Sequence, residues 1–221
     1  MTASAALRFK IGLGRSALAD ASRAFWTHPE LGMRFPEYLF HLFSAMRASV
    51  SLITAARDTA ADMAGEDPLA AGVVDYFALH AEEEREHANW LLDDMLALGA
   101  DRAAISERTP PTTVAALIGT QYYWIHHVHP AVLLAYLVVL EGDPMPAEAL
   151  ENYASAAGIP AEGLRTLIYH AKTDVEHGRE LFQLIDELPL TPAFEEKLGF
   201  NALQVIGQLA EVFRGLARKQ V

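Results

Sequence analysis

His80-Ala81-Glu82-Glu83-Glu84-Arg85-Glu86-His87 and His170-Ala171-Lys172-Thr173-Asp174-Val175-Glu176-His177 are the two segments on which the reading of this chain turns. Each places a histidine, a carboxylate and a histidine at positions i, i+4 and i+7. At roughly 100° per residue these fall at about 0°, 40° and −20°, so in a helix all three side chains share one face over two turns. Tyr76, Phe77 and Leu91 flank the first triplet, and Leu167, Leu181 and Leu184 the second, on or beside the same stripe. Both faces therefore point inward. Burying uncompensated carboxylates costs several kcal/mol each, which makes a cation the simplest partner for them. Two such helices face to face build a cage of four imidazoles and two carboxylates. Imidazole with carboxylate, and no thiolate, suits iron, manganese or zinc. Bridging carboxylates in a helical core hold two metals about 3.5–4 Å apart.

Taken singly, each triplet has a plainer reading. A lone histidine at a helix interface is ordinarily a satisfied structural residue, and Glu82 to Glu86 read as a solvated acidic face. Recurrence of the same spacing on two helices decides against that reading. The site still needs a further oxygen, and Glu141, at the end of the apolar run Ala131 to Leu140, can supply it from a third helix. The cluster His126-His127-Val128-His129 is a decoy. His127 shares a face with Glu141 but lies about 20 Å away at 1.5 Å per residue, so these histidines are read as structural, pocket-entrance or interface residues. His28 and His41 belong to no paired pattern.

Outward from the triplets, helical periodicity runs through the chain and strand signals are nearly absent. The pattern predicts an all-α fold of about seven helices in one domain, 1–221. The first runs from Ala5 to Trp26, and the second from Pro36, where proline suits a first turn, to a stop before Gly65. Asp67-Pro68 opens a third that closes at Gly99. A fourth runs from Thr112 to Leu140, bent at Pro130. A short helix fits Ala147 to Ala157, another runs from Pro160 to Glu187, and the last fills Pro192 to Arg218. Connections this short are those of a compact bundle.

Composition narrows the function. The 221 residues are 52% hydrophobic and carry a formal charge of −12, which argues against nucleic acid and anionic membranes as partners. The absence of cysteine excludes disulfides, iron–sulfur clusters and cysteine nucleophiles. The amino terminus lacks a basic region joined to an apolar one, and the longest uncharged apolar stretch is far short of the roughly 20 residues of a membrane span. A cytoplasmic location is the expectation.

The order His87, Glu141, His170-x3-Asp174-x2-His177 resembles the heme-oxygenase-like diiron oxidases, the iron-containing redox enzymes. That family pairs a Glu and a His seven apart, then a lone Glu, then His-x3-Asp-x2-His. The resemblance runs from about Phe35 to Leu188 and includes Leu140-Glu141-Gly142. It carries the ligand role onto His87, Glu141, His170, Asp174 and His177. His80 stands where the family has its first Glu. Glu84, one turn closer, is the alternative oxygen donor, and with His87 it forms the Glu-x2-His spacing of ferritin-like diiron proteins. No catalytic residue beyond these ligands is read from the sequence.

The resemblance implies a compact heme-oxygenase-like bundle, a homodimer, and two ferrous ions that react with O2 to oxidise or cleave a small amine-, amino-acid- or carboxylate-bearing substrate, with no heme. Thiaminase-like relatives of the fold depend on a cysteine, which this chain lacks. Two alternatives stand beside it: a heme-binding oxygenase with His28 as axial ligand, and a metal-binding or structural helical protein with a vestigial site.

Overall fold

A computed structural model describes residues 1–218, which form ten α-helices and no β-strand. The helices are α1 (Ala3–Trp26), α2 (Leu31–Met63), α3 (Pro68–Glu83), α4 (His87–Ala97), α5 (Arg102–Glu107), α6 (Thr112–His127), α7 (Leu133–Glu141), α8 (Ala147–Ala156), α9 (Arg165–Glu187) and α10 (Pro192–Arg218). Single 3-10 turns occupy Glu84–Glu86, Pro130–Val132 and Ala161–Gly163. The count exceeds seven for three local reasons. The third predicted helix is interrupted at Glu84–Glu86, Pro130 breaks the fourth rather than bending it, and Asp101 caps an extra short helix by accepting from the Ala104 amide. Likewise, α2 starts ahead of Pro36, because burial of Leu31, Arg34 and Phe35 draws the preceding turn into the helix.

Two apolar clusters make the core. One gathers Phe77 and Ala81 of α3, most of α7, and Leu181, Phe182 and Ile185 of α9. The other gathers Phe35 and Leu39 of α2, Leu91 and Leu92 of α4, and Leu167 of α9. The chain therefore crosses between the clusters at His80–His87 and again at His170–His177. Helix α7 is apolar on every side, as befits a helix enclosed by others. Its residues Leu133 to Val138 are all buried, and it ends by presenting Glu141 at the same level. Helix α2 is long and apolar enough to cross a membrane by length and composition; here its apolar stripe packs into both clusters.

Three contacts set the helices that carry the triplets. Asp67 caps α3, one oxygen accepting from the amides of Leu69 and Ala70. Its other oxygen accepts from His129 Nε2, while His129 Nδ1 accepts from the Ala131 amide at the head of the Pro130 turn. His129 is thus a structural residue. Helix α9 has no cap of its own at Leu164. The buried Asp94 of α4 replaces it, accepting from the Thr166 amide at 2.8 Å and from Arg165 Nε at 2.9 Å. An anionic side chain against a helix N-terminus satisfies orphan donors and suits the dipole. The result fixes α9 against α4.

The third contact is steric. Gly178 follows His177 and meets the backbone of Gly142, which follows Glu141. A Cβ on Gly178 would lie 2.9 Å from Gly142 Cα and 3.1 Å from the Glu141 carbonyl oxygen. Only glycine lets α9 approach the end of α7 this closely. Gly178→Ala should therefore lower stability by about 1–3 kcal/mol, as overpacking does. Gly207→Ala on α10, where an added Cβ meets nothing within 4 Å, should be neutral or stabilise by about 0.5–1 kcal/mol. Thermal unfolding of the two variants tests the contrast.

Candidate metal centre

All seven residues singled out from the sequence converge at the junction of the two clusters. They do so as two groups rather than as two intact triplets. His80, Glu141 and His177 form one group, and Glu84, His87 and His170 the other, with the donor atoms inside each group all within 4.8 Å of one another. Asp174 lies between them. Its Oδ1 is 3.1 Å from His170 Nδ1 and 3.7 Å from His177 Nδ1, one histidine of each group. His80 Nε2 is 3.1 Å from Glu141 Oε1, and His177 Nδ1 is 3.8 Å from Glu141 Oε2.

The 3-10 turn explains the split of the first triplet. Glu82 and Glu86 are like charges at i and i+4, which weakens an α-helix here. A 3-10 turn has three residues per turn and eclipses side chains at i and i+3. Glu84 is thereby drawn under His87, with Oε1 2.9 Å from Nδ1, while His80, still on regular α3, faces Glu141. His80 and Glu84, alternatives in the sequence, fall in different groups. Glu82, Glu83 and Glu86 remain exposed, the solvated acidic face that the run also predicted.

Electrostatics at the site set burial against pairing between carboxylates and histidines. Glu84, Glu141 and Asp174 are buried, and their ion-pair partners among the described residues are histidines. Burial pushes the Glu141 carboxyl up, and the like charges of Glu84 and Asp174 add to this, against the opposing effect of His80. Burial also works to raise Glu84, but His87, His170 and His80 outweigh it and hold that carboxyl low. Burial disfavours the charged form of His80, yet the hydrogen bond and charge of Glu141, with Glu84 and Glu83, raise its pKa to about 9. His170 is raised too, Asp174 outweighing burial.

Four buried polar atoms at the centre have no hydrogen-bond partner: His87 Nδ1, Glu141 Oε2, His170 Nε2 and His177 Nδ1. His87 Nδ1 is close to Glu84 Oε1 but not aligned for a hydrogen bond. Buried orphan groups are uncommon and call for a ligand. Four imidazoles and three carboxylates, clustered in two groups with a shared aspartate, fit a pair of iron-class cations.

A cavity of about 710 Å³ opens onto the centre at His80, Glu84, Glu141, His170 and Asp174. His41, given no role from sequence, lines it, its Nδ1 donating to the Glu37 carbonyl. Tyr76 stacks on His80 with centroids 5.5 Å apart, which its place in the flanking stripe foreshadowed. His28, the candidate heme ligand, lies instead in the turn between α1 and α2, its Nδ1 accepting from the Glu30 amide and from Arg34 Nε. His126 and His127 are exposed and pack on Tyr122 and Tyr123.

The His80 shift has a signed consequence for the metal-free protein. A histidine whose folded pKa of about 9 exceeds its unfolded value of about 6.5 adds stability that is complete below the lower value. That stability is lost as pH rises through the upper one. The melting temperature of metal-free protein should fall between these limits, and His80→Gln should remove the part of the fall due to this residue.

The iron-containing redox enzyme family matches residues 79–206 of this chain. No curated protein matches it. Among solved structures, a domain of unknown function with a heme oxygenase-like fold from Shewanella denitrificans OS217 superposes with a TM-score of 0.78 at 16% identity, over 95% of this chain and 89% of that one. A TenA homolog from Pseudomonas syringae pv. tomato str. DC3000 gives 0.68 at 12% identity, over 93% and 91%. At such identities the two structures establish the fold as heme oxygenase-like. The family match goes further, since it runs through both triplets and Glu141 over more than half of the sequence: this chain belongs to the iron-containing redox enzymes.

Proposed function

We propose that the protein is a non-heme diiron oxidase or oxygenase that uses O2 to oxidise or cleave a small amine-, amino-acid- or carboxylate-bearing molecule. The observation that carries this reading is the pairing of two His/carboxylate groups about a common aspartate, at the end of a cavity large enough for such a substrate. In this reading His80, Glu141 and His177 would hold one iron and Glu84, His87 and His170 the other, with Asp174 between the two groups. Two ferrous ions at such a site supply the electrons for activation of O2.

The chain's own residues do the rest. Leu42, Met46, Ile53, Leu117 and Leu137 wall the cavity, so water is displaced from the substrate side of the centre and local electrostatics strengthen. Arg15 and Asp143, an ion pair that also borders the cavity, offer a cation to a carboxylate and an anion to an amine. Both are exposed, so they orient a substrate rather than bind it tightly. The His80–Glu141 pair can hold a proton at the centre and would release it if a cation took its place.

Iron per chain and ferrous-dependent O2 uptake test the reading. Asp174→Ala and His177→Ala should each weaken iron binding by more than about tenfold, at least the effect of losing a supporting partner of a metal ligand. His126→Ala, at the exposed decoy cluster, should bind as wild type does. Full iron content and O2 uptake in the Asp174 and His177 variants would refute the proposal.

A further inference from the structure

One of the exposed glutamates in the run Glu82 to Glu86 reaches the centre. Glu83 is the last residue of α3, three positions after His80 on regular helix, so the two side chains are neighbours on one face. Its Oε2 lies 3.7 Å from His80 Nδ1, while His80 Nε2 meets Glu141 Oε1 at 3.1 Å on the inner side. Among the described residues, His80 is the one histidine of the centre with a carboxylate beside each ring nitrogen. Its neighbours in the run are engaged elsewhere, Glu82 with Arg85 and Glu86 with Asn89. The change to a 3-10 turn falls between Glu83 and Glu84. It leaves Glu83 with His80 and draws Glu84 under His87, so consecutive carboxylates address different groups.

To serve a metal, the His80 ring must present Nε2 inward and carry its proton on the other nitrogen. Tyr76 sets the plane of the ring, stacking on it at 5.5 Å with an interplanar angle of 15°. A stacked plane is unchanged when an imidazole turns over about its Cβ–Cγ bond, which exchanges each nitrogen for a carbon. Glu141 cannot fix the choice for a ligand, because a hydrogen bond to it needs a proton on Nε2, the atom whose lone pair a metal takes. An acceptor on the outer side can. We propose that Glu83 is the positioning residue for His80: its carboxylate accepts the Nδ1 proton, selects one of the two ring orientations and leaves the Nε2 lone pair for the ion held with Glu141 and His177. The inference rests on the reading of His80 as a metal ligand. A carboxylate behind a ligating imidazole orients the ring and makes it a stronger ligand. The Glu83 side chain is 43% exposed, so it is free to close to hydrogen-bond length, and solvent keeps its effect small for such a partner.

The experiment titrates metal-free, full-length protein anaerobically with ferrous ion against a chromophoric chelator. Zinc-loaded protein carrying nitrogen-labelled histidine is followed by NMR, which reports where each ring holds its proton. Glu83→Ala should bind one of the two ferrous ions about tenfold more weakly than wild type. Glu82→Ala removes the same charge from the same acidic run without touching His80, and should stay within about twofold of wild type. In zinc-loaded wild type, His80 should hold zinc on Nε2 and its proton on Nδ1; in Glu83→Ala the Nδ1 proton signal should be lost to exchange with water. Equal losses of affinity in Glu82→Ala and Glu83→Ala would overturn the assignment, as the mark of a general attraction of cations to the acidic face. A zinc-loaded His80 with its proton on Nε2 would overturn it too. His80→Ala separates this inference from the reading on which it rests. If that variant binds both ions at wild-type affinity, His80 is not a ligand and both fail; if it loses one ion while Glu83→Ala behaves as wild type, the positioning role alone fails.

Discussion

Glu84, Glu141 and Asp174 are buried side by side in a helical core, and histidines are the partners that face them. Removing three carboxylates from water is costly unless their charge is met. In the metal-free protein the carboxylates favour the protonated forms of His80 and His170, raising both histidines against the effect of burial. Iron would meet that charge more fully. A metal bound here would compete with protons for the same lone pairs.

The surrounding structure exists to bring these groups together and keep them there. Asp94 caps α9 from α4, so the helices bearing His87 and His170 are held to each other by a charge-assisted contact between residues far apart in sequence. Gly142 and Gly178 let α7 and α9 approach closely enough for Glu141 to reach His177. The 3-10 turn at Glu84–Glu86 divides one helix face between two groups. Each device acts within a residue or two of a member of the centre or at the end of the helix that carries one.

Much of this was legible in the sequence, and the parts that were not have identifiable causes. The triplets, the inward direction of their faces and the contribution of Glu141 follow from helical periodicity and from the chemistry of buried carboxylates. The division of the first triplet could not be read from an ideal helix, because a local change from 3.6 to three residues per turn reassigns Glu84. Nor could the Asp94 cap, since no residue at the head of α9 announces it, or the start of α2, where burial of Leu31 and Phe35 overrides the signal of Pro36. Gly142 and Gly178 are ordinary in sequence and acquire their meaning only when two helices meet. Glu83 stands within the acidic run, but its place beside His80 Nδ1 is a property of the fold.

The central claim is that this core holds two irons about Asp174. Anomalous scattering at the iron edge, from crystals of protein loaded with ferrous iron, tests it most directly. The account predicts two peaks, one bounded by His80, Glu141 and His177 and the other by Glu84, His87 and His170, with the Asp174 carboxylate adjoining both. A single peak, or iron located away from these residues, would contradict it.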